Sequence, residues 1–100
     1  MQNTKVDAFY GFSRLSLYED INQEGDYYFM RVGSQCMMLP EGIQERASSV
    51  DTHETCLLLC RLPNCRSCVR MYPGGPGHQD LRDVEINDQV VSVKACDRAY

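Results

Sequence analysis

The pattern of apolar and polar residues predicts a series of short β-strands and very little helix. Residues 14–18 alternate between polar and apolar side chains, as a strand with one buried face does. The other segments of this kind are residues 26–32, 35–39, 48–53, 55–60, 68–72 and 90–96. Only residues 41–47 could form a helical turn, and the Pro- and Gly-rich residues 73–77 must form a loop. Many short strands separated by turns indicate a sandwich or a barrel.

An internal repeat divides the chain into two halves. Residues 15–22 align with residues 57–64 at an offset of 42, and Ser49-Val50 aligns with Ser92-Val93 at an offset of 43. Each half has the size of one Greek key, and neither half could bury its inner face alone. We therefore predict one all-β domain over residues 1–100, with a first motif at about residues 13–53 and a second at about residues 54–97.

The first half resembles a known family. Tyr18 is followed by Glu-Asp-Ile-Asn-Gln-Glu and then Gly25, and Ser48-Ser49-Val50 comes later. This arrangement is similar to the Greek key motif of the βγ-crystallins, whose fold is a sandwich of two sheets. Gly25 would adopt a positive φ where the first hairpin bends over the sheet. Tyr18 would pack beneath that bend, and the hydroxyl of Ser49, like that of Ser92 in the second half, would bind the hairpin's free backbone groups.

The second half departs from this motif at two positions. Cys60 stands where the family has an aromatic residue, and Ser67 stands where it has glycine. A residue other than glycine at positive φ costs roughly 1 kcal/mol, so the bend is either strained or shaped differently. A disulfide within Cys60, Cys65 and Cys68 could replace the missing ring and glycine, and three buried thiols are the alternative.

The six cysteines are compatible with disulfides, with free thiols or with a metal site. They are Cys36, Cys56, Cys60, Cys65, Cys68 and Cys96. An even number is typical of disulfides in a secreted chain, whereas in the cytosol the same residues would be thiols or a metal site. Cys65-x-x-Cys68 is half of a zinc site, but the second pair that such sites require is missing. We therefore expect no structural zinc and no thioredoxin-like activity.

Calcium is the ligand that the resemblance implies most directly. Microbial βγ-crystallins bind it through one polar stretch in each motif, and the matching stretches here are residues 44–49 and 87–92. The first retains Ser48 but has Gln44 and Glu45 at the Asn/Asp positions, with Arg46 beside them; the second retains Asn87 and Asp88 but has Val91 in place of a hydroxyl. Calcium requires six to eight oxygen ligands, so we expect degenerate sites with weak binding at most and no other cofactor.

Composition excludes several classes of function. The net charge is −4, and no run of Lys or Arg could follow a phosphate backbone, so no nucleic-acid partner is expected. No apolar stretch approaches the ~20 residues of a membrane span. The first seven residues carry no signal-peptide pattern, which favours an intracellular protein. No motif for a catalytic nucleophile, phosphate or dinucleotide occurs, and His53 and His78 lie far apart, so we predict that the chain is not an enzyme.

The residue bias favours a protein that tolerates high concentration. Eight Arg stand against two Lys, Cys and Met number eleven together, and Tyr and Phe number nine. These polarizable side chains make planar, adaptable contacts. We expect a structural, storage or stress-type protein similar to the microbial members of the family in fungal fruiting bodies and spores, monomeric except for self-association at high concentration. The alternatives are a calcium-binding module and a secreted, disulfide-linked toxin or protease inhibitor.

Overall fold

A computed structural model describes residues 13–96, which form two antiparallel β-sheets. Its strands are β1 (Ser13–Asp20), β2 (Glu24–Val32), β3 (Met37–Met38), β4 (Ser49–Asp51), β5 (Leu57–Leu62), β6 (Arg66–Met71) and β7 (Ser92–Ala95). The stretch without a signal-peptide pattern and the predicted end of the second motif at residue 97 lie outside the described residues. The predicted all-β sandwich is confirmed.

Each motif contributes backbone to both sheets. The first sheet has the order β2-β1-β4, and the second has the order β3-β7-β5-β6, so β3 of the first motif pairs with β7 of the second. In return, residues 78–81 of the second motif run beside β4, because the Val50 N–H donates to the His78 carbonyl at 2.8 Å and the Leu81 N–H donates to the Ser48 carbonyl at 2.9 Å. The exchange explains why neither half is complete without the other.

Period-two alternation explains which residues form the core. Leu15 and Leu17 of β1 lie in register with Met30 and Tyr28 of β2, and residues on one face of a strand alternate in this way. Leu57 and Leu59 of β5 repeat the arrangement in the second sheet. The buried cluster between the sheets comprises Leu15, Leu17, Met30, Val32, Leu39, Ala47, Val50, Leu57, Leu59, Met71, Leu81, Ile86, Val90 and Val93.

A single hydrogen-bonded turn lies at the position predicted for a helical turn, and two short 3-10 helices lie elsewhere. At residues 41–45 the structure has a hydrogen-bonded turn, in which the Ile43 and Gln44 N–H groups both donate to the Pro40 carbonyl. The short 3-10 helices of the described part are Ile21–Gln23 and Leu81–Val84. Asp80 caps the second of them, and the hydrogen-bonded Arg82 guanidinium lowers the pKa of its carboxyl. No helix within residues 13–96 is long and apolar enough to cross a membrane.

One buried serine in each motif holds a hairpin in place. Ser49 Oγ accepts from the Gln23 N–H at 2.9 Å and donates to the Asp20 carbonyl at 2.6 Å. Ser92 Oγ makes the equivalent pair of bonds, accepting from the Cys65 N–H at 3.1 Å and donating to the Leu62 carbonyl at 2.7 Å. Both serines are fully buried, so each satisfies two backbone groups that water cannot reach.

Ser49→Ala and Ser92→Ala are expected to lower the free energy of unfolding by about 1–3 kcal/mol each, because each leaves a buried donor and acceptor without a partner. Denaturant unfolding measures the loss. Ser34→Ala is the matched control, since Ser34 is exposed, and should change stability by less than about 0.5 kcal/mol. Equal stability of all three variants would mean that these hydroxyls do not hold the hairpins.

Both hairpins have a cross-strand side-chain contact and a left-handed bend, but different residues form them. In the first, Tyr18 lies opposite Tyr27 in the ladder, with the ring centroids 5.6 Å apart, and Gly25 has a φ of 83°. In the second, Cys60 lies opposite Cys68 and is bonded to it. Ser67 has a φ of 58°, so the second hairpin keeps the left-handed bend without glycine.

All six cysteines form disulfides. Besides Cys60–Cys68, Cys56 is bonded to Cys96 at the adjacent ends of β5 and β7, and Cys36 is bonded to Cys65 across the two motifs. Between the two states that the sequence leaves open, the structure therefore has disulfides rather than thiols. No thiolate remains for a zinc ion.

Candidate functional site

The loops that precede β4 and β7 lie side by side and exchange hydrogen bonds. The Glu45 N–H donates to the Val90 carbonyl at 2.9 Å, and the Asp88 N–H donates to the Ala47 carbonyl at 2.8 Å. Glu45 and Asp88 occupy equivalent positions of the repeat and have left-handed φ values of 61° and 57°. The polar stretches of the two motifs therefore meet along one end of the sandwich.

This arrangement brings together the residues that each stretch has retained. Ser48 Oγ lies 3.4 Å from Asp88 Oδ1, although the two residues belong to different motifs. Asn87 Nδ2 donates to the other carboxylate oxygen, Asp88 Oδ2, at 3.2 Å. Asn87 Oδ1 is buried and has no hydrogen-bond partner among the described residues. The better-preserved of the two degenerate calcium sites thus combines the Ser48 hydroxyl of the first stretch with the Asp88 carboxylate of the second.

An acidic depression of about 300 Å³ adjoins Asp88. Glu19, Asp20 and Glu45 also line it, together with the guanidinium of Arg46. Arg46 forms an ion pair with Glu19 and donates to the Gly42 carbonyl at 3.4 Å. The arginine therefore neutralises part of the negative charge that would attract a cation, as the sequence leads us to expect. No group of three or more His, Cys, Asp or Glu residues in the described range is arranged to hold a metal ion.

The second degenerate calcium site, beside the second hairpin, lacks the hydroxyl ligand that Ser48 provides at the first. Val91 stands where Ser48 stands in the first half, and its side chain is buried. Gln44 donates its amide to the Leu39 carbonyl at 2.9 Å. The position that corresponds to Glu19 is Arg61, whose guanidinium binds the Glu85 carbonyl at 2.6 Å and Gln89 Oε1 at 3.0 Å. A cation therefore stands where the first half has a carboxylate.

A second polar group, which the sequence analysis missed, lies on the outer face of the first sheet. Ser16 Oγ lies 3.2 Å from His53 Nε2, and His53 Nδ1 lies 3.9 Å from Asp51 Oδ2. The order resembles that of a hydrolase triad, but 3.9 Å exceeds a hydrogen-bond length. Ser16 is also only 4% exposed in the middle of a strand, where a substrate could not reach it. The group therefore joins β1 to the link between the motifs.

Comparison with known proteins identifies the fold. No family model and no curated protein matches this sequence. Among solved structures, an archaeal βγ-crystallin superposes with a TM-score of 0.68 at 14% sequence identity, and the match covers 84% of this chain and 98% of that one. The chain therefore has a βγ-crystallin fold. At this level of identity the comparison establishes the fold alone.

Proposed function

We propose that this domain, with its βγ-crystallin fold, is a non-enzymatic structural, storage or stress-type protein that accumulates at high concentration. The observation that carries the proposal is the set of three disulfides in a chain of 100 residues. Disulfides reduce the population of unfolded chains, and unfolded chains are the species that aggregate or are degraded. A protein that is stored rather than turned over benefits from this protection.

The disulfides also bear on where the protein accumulates. Such bonds form and persist in oxidising environments and are rare in the cytosol. We therefore propose that the protein accumulates in an oxidising compartment. The excess of Arg over Lys supports accumulation at high concentration, because guanidinium groups make planar contacts that require no fixed lattice.

Quantitative proteomics of secreted, wall and cytosolic fractions across developmental stages tests the proposal. The expected result is an abundant, stage-specific protein. Its intact mass under non-reducing conditions should be lower than that of the reduced protein by two hydrogens per disulfide. A scarce protein present at all stages would overturn it. Inhibition of a protease or of a competing microbe would favour the toxin or inhibitor alternative, in which the loop at residues 73–77 is the first candidate for contact.

Weak calcium binding is the second candidate function, and the proximity of Ser48 to Asp88 favours it. A hydroxyl and a carboxylate from different motifs provide hard oxygen ligands, but fewer than the six to eight that calcium takes. Arg46 places a positive charge beside Asp88, and Arg61 places one at the corresponding site of the second hairpin. The site proposed here is therefore single and of low affinity.

Calorimetry at neutral pH is expected to detect no calcium binding tighter than about 1 μM, and Ser48→Ala with Asp88→Asn should remove any weaker signal. Combining Val91→Thr, Gln44→Asp and Glu45→Asp should raise the affinity, because threonine adds a hydroxyl ligand and the two aspartates are the residue type that calcium-binding stretches have at these positions. Two high-affinity sites in the unaltered protein would contradict this prediction.

A further inference from the structure

The first sheet ends in a strand with an open edge. β2 pairs with β1 on one side, and no other strand pairs with it on the opposite side within residues 13–96. In an antiparallel ladder every second residue directs its N–H and C=O away from its partner. The free side of β2 therefore presents a row of backbone donors and acceptors that could pair with another strand.

The features that usually protect an edge strand are confined to the two ends of β2. Natural edges are short, or carry Lys, Pro or a bulge. In β2, Glu24, Asp26 and Arg31 are charged and the register with β1 shifts beyond Tyr27, but residues 27–30 have no charge, no Pro and no shift. Tyr27 and Phe29 project from the outer face with 66% and 46% of their surface exposed. The centre of the strand is thus extended, uncharged and accessible.

Charge along β2 indicates what would pair with it. The strand begins with Glu24 and Asp26, and Arg31 lies near its end. Arg31 stands directly opposite Arg14 of β1, and like charges in that position repel each other. No described residue forms an ion pair with either arginine. A second β2 strand running antiparallel would place Arg31 beside uncharged residues of that strand, whereas a parallel strand in register would place Arg31 beside Arg31.

We propose that two copies of this chain associate through antiparallel pairing of their β2 strands about a two-fold axis at Phe29. The ladder with β1 is regular from Tyr27 to Val32, and Phe29 is the one of its two central residues whose side chain is exposed. Each Phe29 then faces Phe29 of the second copy, and each Tyr27 faces Arg31 of the second copy, a favourable pairing of a cation with a ring. The two three-stranded sheets become one continuous sheet.

An interface of one strand from each copy is smaller than that of a stable dimer, so association requires high concentration. The pairing depends only on β2, and the purified protein at high concentration would show it whatever the function of the protein in the cell. Its test is therefore independent of the proposed function.

Sedimentation analysis of the oxidised full chain from about 10 μM to about 2 mM provides the first test. The unaltered protein is expected to form dimers at the upper end, and Phe29→Lys should remain monomeric because it places a charge at the axis. Leu62→Lys is the matched control, since Leu62 is 47% exposed on β5 of the other sheet, and it should dimerise as the unaltered chain does. A chain that stays monomeric throughout, or a control as monomeric as Phe29→Lys, would overturn the proposal.

Arg31→Glu tests the strand direction with little risk to folding, because Arg31 is exposed. It should weaken association, because it removes the cation that would face Tyr27 of the second copy. Arg31→Lys keeps a cation opposite Tyr27 and should associate as the unaltered protein does. If Arg31→Glu associates as tightly as the unaltered protein, the antiparallel arrangement is wrong.

Cross-linking tests the register. Residues directly opposite each other have Cβ atoms about 5 Å apart, so Phe29→Cys should form a covalent dimer under mild oxidation. Tyr27→Cys should cross-link far more slowly, because the two copies of residue 27 would be four positions apart along the ladder, roughly 13 Å. Equal rates for the two variants, or a rate for Leu62→Cys that matches Phe29→Cys, would overturn the register and the axis.

Discussion

Reduction of the three disulfides is expected to unfold the domain at physiological temperature. Domains of this size are stable by only about 5–15 kcal/mol, and loss of a native disulfide from a small domain typically costs about 2–5 kcal/mol. All three bonds involve the second sheet or the chain segments at its ends. The first sheet cannot persist alone, because its inner face packs against β5 and β7 through the shared core.

The bonds should differ in their individual effects. The sequence separations are 40 residues for Cys56–Cys96, 29 for Cys36–Cys65 and 8 for Cys60–Cys68. In the chain-entropy description, closed loops of these lengths correspond to about 4, about 3.5 and about 2.5 kcal/mol. Replacing both cysteines of a pair by Ala should therefore destabilise least at Cys60–Cys68. The loops overlap in sequence, so the three effects will not add.

Denaturant titrations of the oxidised protein, the reduced protein and the three double-alanine variants measure these effects. Far-ultraviolet circular dichroism reports the strands, and mass spectrometry under non-reducing conditions verifies that the remaining bonds are native. A reduced protein with the midpoint of the oxidised one would contradict the prediction. So would a larger loss for the Cys60–Cys68 pair than for the other two pairs.

The parts of the fold that the sequence predicts are those encoded locally and repeated. Leu15 and Leu17 recur as Leu57 and Leu59, and alternation over so short a distance directs them to the core in each motif. Gly25 and Ser67 stand at equivalent positions, and both have a left-handed φ. A repeat predicts such features because each depends on residues within one hairpin.

Features that join the two motifs could not be predicted in the same way. The Cys36–Cys65 bond and the approach of Ser48 to Asp88 depend on how one motif is placed against the other. Each polar stretch examined separately lacks ligands, and only the exchange of backbone between the sheets places the retained hydroxyl beside the retained carboxylate. The contact of Ser16 with His53 also spans 37 residues, and no spacing rule connects them.

The bend of the first hairpin should be the most sensitive backbone position in the chain. Gly25 has a φ of 83°, and a Cβ at this position would lie 2.6 Å from Asp20 Oδ2 and 2.9 Å from its Cγ. Rotation of the Asp20 side chain can relieve the contact, but it cannot relieve the backbone strain. A β-branched side chain is particularly unfavourable at positive φ.

Gly25→Val is therefore expected to lower the free energy of unfolding by about 2–3 kcal/mol. Gly25→Ala should cost less, since alanine brings the φ strain without the branched side chain. Gly42→Ala is the matched control, because no atom lies within 4 Å of a Cβ there and φ is not in the left-handed region. That change should be neutral or slightly stabilising, because it reduces the freedom of the unfolded chain.

Ser67→Gly is the converse experiment in the second hairpin. Ser67 has a φ of 58°, and its hydroxyl accepts only an exposed bond of 3.3 Å from Arg61. Glycine should relieve up to about 1 kcal/mol of strain, partly offset by the greater freedom of glycine in the unfolded chain, so the net effect should lie between neutral and stabilising. Equilibrium unfolding of all four variants under oxidising conditions makes the comparison. A neutral Gly25→Val would contradict the requirement for a left-handed bend in the first hairpin. A Ser67→Gly variant destabilised as much as Gly25→Val would contradict it in the second.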